Sequence, residues 1–164
     1  MPFKISFKCI LLTLSTMLLT NAAHAGSCYS NAEVEAEQGI RIHSELMVIG
    51  LNCQAMGQRA GMNLYGDYRQ FTAEHASLFA KYEEILMAHF TKNGGAKAEA
   101  QLNALRTNFA NKISNQAASM RPDVFCSKYA PRITKASEMS QTDVRRWAAT
   151  VHASHPVSRP VCNG

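Results

Sequence analysis

The sequence predicts an all-α protein, a disulfide-stapled antiparallel bundle of four to five helices. Three observations carry this expectation: an apolar seam repeats at helical spacing across residues 64–92, start and stop signals bracket several such segments, and four cysteines follow an export leader. No stretch reads as a firm strand, and no internal repeat or low-complexity linker interrupts the chain. Short connections between long amphipathic helices favour antiparallel neighbours.

The leader comes first. Lys4 and Lys8 precede the apolar run CILLTLSTMLLT, and NAAHA ends in the small-x-small pattern Ala23-His24-Ala25. These are the parts of a secretory signal peptide over 1–25, its apolar run of roughly 12 residues falling short of the ~20 a membrane span needs. Cleavage leaves 26–164 as one helical domain, periplasmic or secreted, with no membrane span. That compartment excludes nucleic acid as a partner. Cys28 could carry a lipid only if Ala25-Gly26-Ser27-Cys28 served as a lipoprotein box, which the distance to the apolar run opposes.

Ser30-Asn31-Ala32-Glu33 is a capping box that opens a first helix over about 31–57. Its second half, Leu46 to Cys53, is apolar nearly all round, which suits the middle of a bundle. A strand over Ile40–Leu51 is the competing reading, because Val and Ile suit strands. Gly50 is expected to permit a close helix crossing. Glu33 and Glu37 share a face, read as the solvated helix start.

Leu64, Tyr68, Phe71, His75, Leu78, Tyr82, Ile85 and His89 follow steps of four and three, which predicts one continuous helix over 64–92. Asn93-Gly94-Gly95 ends it by tolerating a left-handed cap. A third helix over 96–120 buries Leu102, Leu105, Phe109 and Ile113. Pro122 opens a fourth piece through Cys126 and Tyr129, limited or kinked by Pro131. Ser140 precedes a last short helix carrying Val144, Trp147 and Ala148, and the tail HPVSRPVCNG is irregular.

Cys28, Cys53, Cys126 and Cys162 allow three pairings. Pairing Cys53 with Cys126 staples the buried first helix to the segment after Pro122, and Cys28 with Cys162 ties the two fraying ends. The other pairings stay open on this reading. No Cys-x-x-Cys redox motif or haem site is present, and no cation adjoins Cys53, so the expected role of Cys53 is a staple rather than a reagent.

The whole chain has 17 basic and 12 acidic side chains, unevenly spread. Residues 26–58 carry four glutamates against Arg41, while 121–164 hold seven bases against Asp123, Glu138 and Asp143. The basic end is read as a solvated face partly neutralised by the acidic first helix.

Chemistry is sparse. His75 and His89 lie on one seam about 21 Å apart, too far to share a metal; they are read as packed histidines with a possible pH-sensitive role. His152 and His155 offer two ligands where zinc needs three or four, so no metal and no cofactor is expected. Glu83 and Glu84 diverge by about 100° and form no catalytic dyad. Thr107, Asn111, Ser114 and Ala118 make a polar stripe on the third helix, a binding seam or simply a solvent face. No hydrolase, metalloprotease, nucleotide-loop or calcium motif appears.

Three stretches resemble a family of small exported proteobacterial helical proteins without an assigned activity: Glu45-Leu46-Met47-Val48 with Cys53, Tyr68-Arg69-Gln70-Phe71, and Thr107 to Ser114 followed by Cys126. The resemblance runs over about 40–130. It implies a helical periplasmic protein, favours the Cys53–Cys126 bridge, and transfers no catalytic residue. The expectation that follows is a non-enzymatic protein acting by binding an envelope partner. An inhibitor or immunity-type protein against an envelope enzyme is the alternative, and an enzyme using His43, His75 or His89 as acid–base is the third reading.

Overall fold

The computed structural model describes residues 28–162; the expected export leader lies outside the described residues. It is all-α: α1 (Asn31–Arg59), α2 (Leu64–Glu74), α3 (Ala76–Gly94), a single 3-10 turn (Gly95–Lys97), α4 (Ala98–Ser119), α5 (Pro122–Tyr129), α6 (Pro131–Ser137) and α7 (Gln141–Ala148). The two elements beyond the expected four to five come from one helix that is two and a fourth piece that is two. Pro131 starts α6 at its first turn, where its missing N–H costs nothing, instead of only limiting α5.

Every other helix packs against α1. Its neighbours α2 and α3 run antiparallel to it, as the pairings show: Glu33 with His89, Gly39 with Tyr82, and His43 with Phe79 along α3; Gly57 with Leu64 and His43 with Tyr68 along α2. The buried residues form one cluster centred on Ile40, Leu46, Ile49, Phe71, Leu86, Phe125 and Ile133.

Local signals set the ends of α1. Ser30 Oγ accepts from the Glu33 N–H, and the Glu33 carboxylate takes the Ser30 N–H at 2.6 Å. At the other end Gly61 adopts φ 76°, and the Met62 and Gly61 N–H groups close on the Gly57 and Gln58 carbonyls at 2.8 and 3.1 Å. That is a Schellman stop, which needs the left-handed residue that Gly61 supplies.

The seam over 64–92 is interrupted at His75 (φ −108°, ψ 18°), which separates α2 from α3. No Pro or Gly marks the break. The cause is tertiary: the His75 ring, buried against Phe71, donates from Nε2 to the Met139 carbonyl at 3.1 Å. The bend lets α2 lie on α6 while α3 lies on α4.

The burial of α1 also differs from expectation. Its continuously buried run is residues 36–42, whereas Leu51 is half exposed and Asn52 exposed. Gly50 faces the backbone of α2, where a Cβ would meet the Tyr65 Cα in ordinary contact at 3.5 Å, as a close crossing requires; the tighter fit is at Gly39, where a Cβ would lie 2.3 Å from the Tyr82 ring. Tyr82 cannot swing away, being 2% exposed and bonded through its hydroxyl to Glu35. Gly39→Ala is therefore expected to lower unfolding free energy by about 3 kcal/mol, through forced overpacking. Gly50→Ala is expected to raise it by up to about 1 kcal/mol, through helix propensity without a clash. Urea melts of the two variants decide this, and equal effects would refute the clash assigned to Gly39.

Candidate functional site

The disulfides pair Cys53 with Cys126 and Cys28 with Cys162. The first clamps the C-terminal half of α1 to α5. The second joins the N-terminal strand-like residues to the tail, where Tyr29 N–H donates to Pro160 O at 2.7 Å and Cys162 N–H to Tyr29 O at 2.8 Å.

Between these clamps a polar network is buried along the part of α1 that precedes the apolar stretch Leu46 to Cys53. Glu37 and Gln38 are completely buried, and Arg41, Ser44 and Glu45 nearly so. The reading of Glu33 and Glu37 as a solvated helix start is thus corrected for Glu37, because the C-terminal tail lies over that face. The Ser158 N–H donates to Glu37 Oε1 at 2.6 Å, and the Ser158 hydroxyl donates to Glu37 Oε2. Gln38 Nε2 donates to the His155 carbonyl at 3.1 Å and Arg41 Nε to Gln38 Oε1 at 2.6 Å. Glu45 then gathers Arg41 at 3.0 Å, Arg132 at 3.3 Å and His155 at 3.6 Å. Lys112 reaches over from α4 to the Ser154 carbonyl at 3.0 Å.

The acidic helix and the basic end neutralise one another through Arg145–Glu35 at 2.9 Å and Arg132–Glu45. The sequence holds both charge runs; their pairing follows from the packing of α6 and α7 on α1.

His75 and His89 stay far apart, one under α6–α7 and one at the start of α1. His89 is buried, its Nδ1 2.8 Å from Glu33 Oε1 and its ring 4.7 Å from that of Tyr29. Asn111 and Ser114 lie exposed on α4, on its solvent face with Thr107 and Ala118. His43 is half-buried, with Nε2 3.3 Å from the Tyr68 hydroxyl. Among the described residues, no three His, Cys, Asp or Glu side chains gather as metal ligands.

Ser154 Oγ lies 2.8 Å from His155 Nδ1, and His155 faces Glu45. The set has the residue types of a hydrolytic triad without its geometry: the Ser–His contact joins adjacent residues of an exposed turn, and Glu45 is committed to two arginines instead of bonding to the imidazole.

Several groups titrate away from their ordinary values. Burial, then the charge of Arg106, holds His43 below 6.5 against the pull of Glu83. Burial, then the charges of Arg41, Lys112 and Arg132, does the same for His155 against Glu45. For Glu33 burial acts upward, but hydrogen bonds from Ser30 and His89 together outweigh it and lower the carboxyl. The Arg145 hydrogen bond lowers Glu35. Burial pushes the Tyr29 and Tyr82 phenols up.

The signs agree. A histidine whose folded value is depressed stabilises the fold fully above about 6.5 and loses that contribution as pH falls through the folded value. The lowered glutamates contribute above about 4.5 and lose it further down. The urea midpoint should fall from pH 7.5 to 5.5, and His43→Gln with His155→Gln should flatten that step. A profile level between those pH values would contradict the assignment.

The surface carries two adjoining depressions. One, of about 610 Å³, lies between α6 and α7 and is lined by Arg132, Lys135, Met139, Arg146 and Trp147, with Glu138 and Asp143. The other, of about 430 Å³, continues past Lys135 and Glu138 toward Met62, Leu64, Ala130 and Pro131. Trp147 and Met139 are part-exposed, and Asp143 is held at the α7 start by Ser140, with Arg146 at 3.0 Å. Neither depression, nor a third beside Tyr82 and Arg145, is lined by a histidine. Nothing in the sequence singled this groove out, because its lining residues come from two short helices whose relative placement depends on Pro131 and on the His75–Met139 contact.

An all-helical, disulfide-stapled bundle with an apolar core and a buried polar network on α1 is what the fold and site define. No family model matches the chain, and no curated protein or solved structure matches it either.

Proposed function

We propose that the protein is an extracytoplasmic binding protein that acts through the α6–α7 groove on an envelope polypeptide, without catalysing a reaction. The carrying observation is the groove itself: Trp147 and Met139 offer apolar anchorage within a rim of Arg132, Lys135 and Arg146. Part-exposed tryptophan and arginine are the side chains that concentrate binding energy at protein interfaces. Lys135 and Glu138 have no ion-pair partner among the described residues, Asp143 is engaged by Ser140 and Arg146, and the lining keeps three bases against two acids. The rim therefore favours a partner segment that brings a carboxylate beside an apolar side chain.

Two disulfides suit an oxidising compartment, as the leader sequence does. No helix of the described residues is long and apolar enough to cross a membrane.

The test compares wild type with Trp147→Glu in capture from native envelope extract, with Val124→Glu as a surface control away from the groove lining. Wild type and control should retain the same stoichiometric partner, and the groove variant should lose at least about 30-fold in affinity, the scale of a truncated hot spot. Unchanged capture by a folded Trp147→Glu protein would remove the groove from the function.

A further inference from the structure

We propose that the C-terminal tail, 151–162, is a redox-latched strap over the polar face of α1, and that a dithiol releases it by opening Cys28–Cys162 while Cys53–Cys126 stays closed. The two bonds differ in access. Cys162 is exposed and Cys28 part-exposed, whereas Cys53 is 0% and Cys126 5% exposed. An attacking thiolate must reach a sulfur, so access sets which bond opens first.

What the latch holds is a segment without helix of its own. Its ties to the body are the Ser158 bonds to Glu37 and to the Tyr29 hydroxyl, the Arg159 bond to Gln101, the Gln38 and Lys112 bonds to the carbonyls of His155 and Ser154, the His155–Glu45 contact, and the backbone pair with Tyr29. Its apolar anchorage is Val157, only partly buried. These few hydrogen bonds, part-buried where they reach Glu37 and Gln38, do not offset the conformational freedom of about a dozen ordered residues. The covalent latch removes most of that cost while it is closed.

The surface underneath also suits release. Glu37, Gln38 and Glu45 are polar, so departure of the strap hydrates them, while Tyr29, whose backbone and hydroxyl the strap also holds, keeps its ring against His89. The charged face of the central helix becomes available only in the open form.

The chemistry balances with a dithiol as the reductant. Its thiolate attacks one sulfur, the Cys28–Cys162 bond breaks, and the departing thiolate takes a proton. The second thiol resolves the mixed disulfide, so the dithiol is oxidised by two electrons and the protein pair is reduced.

The experiment treats the folded, oxidised chain with graded dithiothreitol, traps free thiols by alkylation for peptide mapping, and follows amide exchange by mass spectrometry. Cys28 and Cys162 should become alkylated at least 10-fold faster than Cys53 and Cys126. Peptides covering 151–162 should then exchange at least 10-fold faster, while those of 46–53 and of α3 keep their protection. Simultaneous opening of both bonds, or a tail still protected after Cys28–Cys162 opens, overturns the proposal. The full-length Cys28→Ser/Cys162→Ser variant supplies the open form without reductant: a fast-exchanging tail on an intact bundle supports the latch, and a protected tail sinks it.

Discussion

Glu45→Ala is expected to lower unfolding free energy by about 3–5 kcal/mol, among the largest effects of any single substitution in this chain. Glu45 and Arg41 have side chains only 7% and 5% exposed, and their contact is 3.0 Å. Removing the carboxylate leaves the Arg41 guanidinium buried beside Arg132, two like charges that have lost their shared acceptor, next to a neutral His155. An uncompensated buried charge costs far more than the ion pair itself contributes. The double substitution Arg41→Met/Glu45→Leu should therefore recover about half of the loss, since it removes both charges together. Recovery stays partial because Gln38 Oε1, fully buried, loses the Arg41 Nε–H it accepts at 2.6 Å. Urea unfolding at pH 7.5 of the single and double variants measures this. A loss below about 1 kcal/mol for Glu45→Ala would mean that water reaches the pair.

That interior charge explains where the sequence was legible and where it was not. The capping boxes at Ser30 and Ser140, the helical seam ending near Asn93 and the opening of α5 at Pro122 are local signals, and the chain obeys them. The disulfide partners follow from which segments are central and which are terminal. Glu37 could not be read the same way. On α1 alone it belongs to the acidic first turns, and only the tail, 121 residues later, turns that face inward through Ser158. The break at His75 was equally silent, because its cause is the Met139 carbonyl 64 residues away. Gly50 was legible as a crossing point and does meet the α2 backbone, whereas the glycine that the Tyr82 ring needs, Gly39, gave no such signal in the sequence. Gly61 was the missed local signal: its left-handed φ fixes the end of α1 at Arg59. The groove depends on contacts of this long-range kind, so the residues proposed for binding come from the structure, whereas Asn111 and Ser114, singled out by spacing, face solvent.

Cys53→Ala/Cys126→Ala is expected to cost about 4 kcal/mol, the chain-entropy value for a loop of about 74 residues, and to lower Tm by roughly 10–20 °C for a domain of this size. The two cysteines are 73 residues apart in sequence, and the bond ties the end of the central helix to α5 deep in the core, so the folded chain gains no freedom when it is removed. Cys28–Cys162 spans 134 residues, and loop length alone would rank it as the larger contributor. With Cys53–Cys126 in place, however, the additional closure runs only through 28–53 and 126–162, which brings the two contributions close together. The tail then decides the order. Once unlatched it can leave α1 without unfolding the bundle, and the entropy it regains belongs to the native state, offsetting part of what the unfolded chain gains. The core pair should therefore cost more than the terminal pair when each is replaced by alanines and both variants are melted under identical conditions. A larger loss from the terminal pair would place the tail inside the cooperative core, as a part of the bundle that α1 cannot fold without.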